Sequence, residues 1–397
     1  MEPELLDRYA ELIVGFGANV QRGQIVEVRA ELGKEELVRR LVSAAYRRGA
    51  RFVDVNLFDP YIRKARVEHA EDIDFIPSWH RERVLELGRQ RCARIALSGV
   101  SMPGMLDGLD PDRAARDHFP FIPEYIRVIN DGTTNWTGSP CPTPAWASLV
   151  HPELEPEVAL ERLWKQVLHV TRVDEEDPVA VWESRLHALE RSAERLTERR
   201  FDALHFEGPG TDLTVGLLPS SLWNGGFSET ADGIRHVSNL PTEEVFTAPD
   251  PARVEGTVTA TKPLQLRSGT TVTGLVVRFE GGRAVRIDAE TGAEALESMC
   301  ASDDGAARLG EVALVDREGR IGALETIFYD TLLDENSASH IALGSAYVDT
   351  VGEEDRERIN DSEIHVDFMI GSDDVEVTGI THEGERVPVL RGGSWQL

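Results

Sequence analysis

Cysteine is nearly missing from this 397-residue chain: Cys92, Cys141 and Cys300 are its three, far apart and outside any CxxC pattern. That argues against a disulfide framework and a thiolate zinc site, and fits a reducing cytoplasm. Lysine is almost as scarce, standing only at 34, 64, 165 and 262 against 38 arginines. No apolar run approaches the roughly 18 to 20 residues that span a bilayer. The acidic start "MEPELLDRYAELIVGFG" lacks the basic segment of a secretory signal, so a cytoplasmic chain is expected.

Several common catalytic motifs fail. "GFGANVQRG" has Val20 where a dinucleotide fingerprint needs its third small residue, and it precedes a strand instead of following one. "HEGER" opens like a zincin helix at His382, but arginine stands at 386 in place of the second ligand. "GVSMP" has Pro103 where a nucleophile elbow has glycine, and there is no phosphate loop. Serine hydrolase, nucleotide enzyme and zincin all lose ground.

Acid is what the chain has in excess. Seventy acidic residues against 42 basic ones give a net charge of −28, which disfavours nucleic-acid and anionic-membrane partners. The composition suits a salt-loaded cytoplasm or an arginine-biased, GC-rich genome equally. The length gives room for two or three domains and a sizeable core.

The first part alternates "GQIVEVRA", "GKEELVRRLVSAAYRRGA", "RFVDVNLF", "PSWHRERVLELGRQRC" and "ARIALSG". Strand, helix, strand, helix, strand at this spacing predicts a parallel α/β sheet. After "LWNGGFSETADGIRHVSNLP" short β-type runs dominate. The expected fold is therefore α/β: an N-terminal parallel-sheet scaffold domain over 1–235, then a mixed, strand-rich α+β metal-binding domain over 236–397.

The chemistry gathers in the second part. In "FYDTLLDENSASHIALGSAY" a helix starting near Ser337 would align His340, Gly344 and Tyr347 on one face, with glycine leaving open space and Glu335 in the preceding turn. The plainer reading is an N-capping "DENS" with His340 and Tyr347 in the core. In "SEIHVDFMIGSDD", His365 and Asp367 are two apart on a strand and share a face. "RLGEVALVD" sets Glu311 at a strand start, and "NLPTEEVFTAPD" sets Glu243 and Glu244 between prolines. Four carboxylates and two imidazoles without thiolates are a donor set for two zinc- or cobalt-like ions. His80, His118 and His205 read as structural or exposed, while Glu207 and Asp212 in "HFEGPGTDL" remain candidates to reach the cavity.

Taken in order, "GPGTDLTVGL", "NLPTEEVFTAPD", "LGEVALV", "DENSASHIALGSAY" and "HVDFMIGSDDVEVTGI" resemble the aminopeptidase T and aminopeptidase S family of dinuclear metallopeptidases. The resemblance implies metal ligands at Glu244, Glu311, Glu335, His340, His365 and Asp367, with Glu311 bridging both ions and Tyr347 at the active site. Glu244 is preferred to Glu243 for its place before "VFT". The resemblance also implies two divalent ions (zinc or cobalt, with manganese or magnesium as alternatives), short peptide substrates with a free N-terminus, and a homodimer. Two alternatives stay open at this point: another dinuclear hydrolase such as a phosphoesterase, and a non-catalytic protein using the ions as a structural clip.

Overall fold

The computed structural model describes residues 2–266 and 269–397, which fall into two compact units. Of these, the first comprises residues 2–186, 227–242 and 328–333, and the second 187–226, 243–266, 269–327 and 334–397.

The first unit is built on a four-stranded parallel sheet of β1 (Ile25–Glu31), β2 (Phe52–Phe58), β3 (Ala93–Ser98) and β4 (Trp136–Pro140), in the order β2-β1-β3-β4. Helices Glu35–Arg47 and Ser78–Arg89 supply the crossovers between the first three strands. Leu37, Val38, Leu41, Ala44 and Ala45 form the buried face of the first helix, at helical spacing. The alternation read from the sequence is therefore realised as a parallel α/β sheet.

His236 sits in this unit at 4% exposure. Burial pushes its pKa down to about 4 against a partial offset from the Ile234 carbonyl, 3.4 Å from Nδ1. The unfolded chain protonates near 6.5, so the folded state loses stability as pH falls from 6.5 through 4, by about 3 kcal/mol. Acid unfolding of the metal-free His236→Gln variant should be flatter than that of the parent over that window. Parallel stability–pH curves would contradict this.

Among the described residues the second unit carries two large antiparallel sheets and a two-stranded one of 264–265 and 271–272. The larger has eight strands in the spatial order 283–288, 276–280, 249–259, 211–217, 203–208, 376–380, 386–391 and 394–395. Strands 203–208 and 211–217, which precede residue 236, lie in the middle of this sheet. The smaller sheet runs His365–Met369, His340–Gly344, Leu309–Val315, Glu244–Thr247 and Asn224–Gly225, each neighbour antiparallel.

One local expectation is overturned here. Residues 340–344 form a strand, not a helix, and the helix in this stretch is the five-residue Thr331–Glu335. His340–Gly344 is buried at every position between two neighbouring strands, and a strand buried on both faces has no alternation to distinguish it from a helix. Glycine's role also differs. Gly344 has φ +103° and a Cβ there would lie 2.1 Å from the Ile364 carbonyl oxygen, so close backbone approach demands it.

Among the described residues no helix is long and apolar enough to cross a membrane.

Candidate metal centre

The register of the smaller sheet assembles the site. Glu311 pairs with Ala342, and Ala342 with Asp367. Ala313 pairs with both His340 and Phe246, while Gly344 pairs with His365 and Val315 with Glu244. Paired residues in a sheet share a face, and so do residues two apart on a strand. Glu244, Glu311, His340, His365 and Asp367 thus project from one face, around the small side chain of Ala342. On the opposite face Ile341, Leu343, Val366 and Phe368 are buried apolar groups. The strand pattern expected for His365–Asp367 is present as expected, and the small residue that leaves space is Ala342.

Two ligand groups result, one of Glu244, Glu311 and His340 and one of Glu311, His365 and Asp367. His340 Nε2 lies 3.1 Å from Glu244 Oε2 and 3.4 Å from Glu311 Oε1. His365 Nε2 lies 3.2 Å from Asp367 Oδ1 and 3.6 Å from Glu311 Oε2. Glu311 therefore offers one oxygen to each group. His340 Nδ1 faces the Ala338 carbonyl at 3.2 Å and His365 Nδ1 the Ser345 carbonyl at 2.7 Å. With Nδ1–H donating to backbone, Nε2 is left as the ligand atom in both rings, the usual outer-shell arrangement of metal-binding histidines.

Glu335, the last residue of its helix, is not in either three-residue group, but it belongs to the same electrostatic cluster. Burial raises its pKa well above the usual carboxylate range, and Asp367 and Glu244 push it further. Burial likewise raises Glu311, against the opposing pull of His340 and His365. Burial disfavours charge on the imidazoles too, yet the carboxylates outweigh it. His340 is raised well above 6.5 by Glu244 and Glu311, and His365 reaches about 9 beside Asp367 and Glu311. Four buried carboxylates facing two imidazoles leave excess negative charge out of water, which is costly unless cations neutralise it. Glu244 Oε2 is itself buried without a hydrogen-bond partner. Oxygen and nitrogen donors, no thiolate and an orphaned carboxylate oxygen fit divalent cations of the zinc or cobalt kind.

Of the neighbouring pair, Glu244 faces the cluster, whereas the Glu243 side chain lies against Gly319 and its N–H donates to Asn336 Oδ1 at 2.6 Å. Tyr347 lies at the border of the site, half-buried, its ring 5.4 Å from that of His365 and 5.8 Å from Phe246. Glu207 and Asp212 do not join the cluster. They flank His205 at 3.7 and 3.8 Å on the eight-stranded sheet, with side chains 73% and 86% exposed. His80 packs beside Phe119 and Trp79 in the first unit. Asn336 was missed by sequence reasoning. Fully buried, it donates from Nδ2 to Glu335 Oε1 at 3.3 Å and accepts the Glu243 N–H. An amide directly after an acid pair was the available signal.

Fold and site together define a carboxylate-rich metalloenzyme on a mixed α/β scaffold. Comparison with known proteins agrees: residues 2–395 match the thermophilic metalloprotease (M29) family. The chain is 44% identical to aminopeptidase T of Thermus aquaticus, covering 99% of each chain, and 38% identical to aminopeptidase 2 of Geobacillus stearothermophilus, covering 98% of this chain and 97% of the other. The structure of wild-type AmpT from Thermus thermophilus superposes with a TM-score of 0.89 at 42% identity, over 99% of both chains. The chain belongs to the thermophilic metalloprotease (M29) family.

Proposed function

We propose that this protein removes N-terminal residues from short peptides, with two divalent ions held by Glu244, Glu311, Glu335, His340, His365 and Asp367. That it is a metal-dependent aminopeptidase, a hydrolase, follows from its family and from full-length relatives of that name. The observation that carries the finer reading is Glu311, whose two oxygens face two separate imidazoles, one in each ligand group. Neither a phosphoesterase nor a structural clip finds support.

When bound, the ions supply Lewis acidity toward the peptide carbonyl and lower the pKa of water to about 7. Glu311 accepts a proton from the attacking water at a carboxylate oxygen and returns it to the leaving amine. Tyr347 donates its hydroxyl hydrogen to the oxyanion that develops on the carbonyl. The carbonyls of Ala338 and Ser345 hold the two imidazoles in one tautomer. A neutral free α-amine offers the bound ions a donor that an acylated N-terminus lacks, which would make the enzyme an exopeptidase.

Leucyl p-nitroanilide should therefore be cleaved and its N-acetyl form left intact, with a ratio of rates above about 10³. Comparable cleavage of both would remove the requirement for a free amine. Zinc or cobalt is the proposed metal, ahead of manganese and magnesium, from the histidine content of the donor set. Three buried free cysteines suit the proposed cytoplasmic location.

A homodimer is proposed as well. Phe52, Val55 and Leu57 on the sheet-edge strand β2, with Tyr61 and Ile62 just after it, are all at least 39% exposed, and an exposed apolar edge of this kind is a pairing surface. Light scattering should give twice the chain mass for the parent, and the chain mass for a Phe52→Glu/Leu57→Glu variant. A monomeric parent would refute it.

A further inference from the structure

The proposed ligands are held in two ways. Glu244, Glu311, His340, His365 and Asp367 stand on strands whose register fixes them. Glu335 stands on none of these strands and closes a five-residue helix instead. A helix this short has little stability of its own, and a glutamate side chain has several rotatable bonds to fix. The aim of this sixth ligand therefore has to come from side-chain contacts.

Asn336, fully buried, supplies one. Its Oδ1 accepts the Glu243 N–H at 2.6 Å, and its Nδ2 donates to Glu335 Oε1 at 3.3 Å. The first bond fixes which way round the amide lies, because a backbone N–H needs the oxygen as its acceptor. With Oδ1 placed there, the planar amide turns Nδ2 toward the carboxylate. Glu243 is itself held. The next residue, Glu244, pairs with Val315 at the start of its strand, and the Glu243 side chain rests against Gly319. The turn after Glu335 is tied as well: the Ser337 N–H donates to the Asp334 carbonyl at 3.2 Å, and Lys262 Nζ donates to Ser337 Oγ at 2.5 Å. All of these residues belong to the second unit.

We propose that Asn336 is a positioning residue for Glu335: one amide carries the register of the five-stranded sheet, through the Glu243 N–H, to the one proposed ligand outside that sheet, and holds its carboxylate in a single orientation. The residue type follows from the two bonds. An ionised aspartate would meet the Glu243 N–H but offer Glu335 no donor, and it would add a fifth carboxylate to a cluster already rich in them. An apolar side chain would leave the buried N–H unmet. The role rests on Glu335 being a metal ligand, as the proposed function has it.

The test is a double-mutant cycle on the metal-free full-length protein. Zinc binding is measured by calorimetry for the parent, Asn336→Leu, Glu335→Gln and the double variant, and the melting temperature of each metal-free protein is recorded. Leucine has the branching of asparagine without its donor and acceptor, so it leaves no void. Outer-shell partners of metal ligands typically change affinity by about 10- to 100-fold. Asn336→Leu should lose that much affinity for one zinc equivalent and keep the other within about threefold. Added to Glu335→Gln it should cost less than about threefold more, because a residue that acts through Glu335 then has no ligand left to place. A further loss of about 10-fold or more in the double variant would mean that Asn336 acts elsewhere, which overturns the proposal. Parent-like binding of both equivalents by Asn336→Leu, alongside a weakened Glu335→Gln, removes the positioning role alone. Parent-like binding by Glu335→Gln shows instead that Glu335 is not a ligand, and the role of Asn336 falls with that reading. Equal loss of both equivalents together with a lowered metal-free melting temperature makes Asn336 a fold residue only, which also overturns the proposal. If Asn336→Leu fails to fold, Asn336→Ala takes its place in the same cycle, with the same outcomes deciding.

Discussion

Glu311→Gln should lower kcat by at least about 10³-fold, the largest effect of any single substitution here, because it removes a proton acceptor and one oxygen's charge at once. The amide is close in size to the carboxylate, so Leu309–Val315 keeps its pairing to both neighbours and the fold survives. Metal content should fall too, since each oxygen of Glu311 serves a different ligand group. In the metal-free state the variant should be no less stable than the parent, for it removes one of four buried like charges. Steady-state kinetics, metal analysis and a thermal melt of the metal-free variant check these outcomes. Parent-like turnover would mean that Glu311 neither bridges nor carries the proton.

Tyr347→Phe should act differently. Its ring packs near His365 and Phe246, and phenylalanine preserves that packing while removing the hydroxyl. Loss of one preorganised donor to a developing oxyanion typically costs about 10² to 10³ in kcat. KM should change by less than about threefold and metal content not at all, because the interaction strengthens only in the transition state. A variant that loses metal, or one whose defect lies wholly in KM, would assign Tyr347 to binding.

The two kinds of residue differ in how legible they were. His365 and Asp367 could be read directly: a two-residue spacing on a strand with apolar neighbours defines a shared face, and the structure has that strand. The parallel sheet of the first unit was equally plain, since its crossover helices carry one apolar face. His340 was harder. Its strand is buried on both sides, so the sequence lacks alternation and the small residues around it suit a helix as well. The spatial meaning of Ala342 was invisible for the same reason, because only cross-strand register puts it opposite Glu311 and Asp367. Strand 203–208 followed the α/β style of the segments before it, yet it pairs with strand 376–380 from the far end of the chain. Pairings of that sequence separation leave no local trace. Asn336 was hidden for a related reason: it is a polar residue in a polar stretch, and it is defined by a partner 93 residues away.

The central claim is a two-ion centre organised around Glu311, and its most direct measurement is a metal titration of the chelator-treated enzyme. Zinc or cobalt is added in steps while bound metal per chain and leucyl p-nitroanilide hydrolysis are followed together. Activity absent without metal and reaching its plateau at two bound equivalents per chain is the expected result. A plateau at one equivalent, or full activity in the metal-free protein, would contradict it.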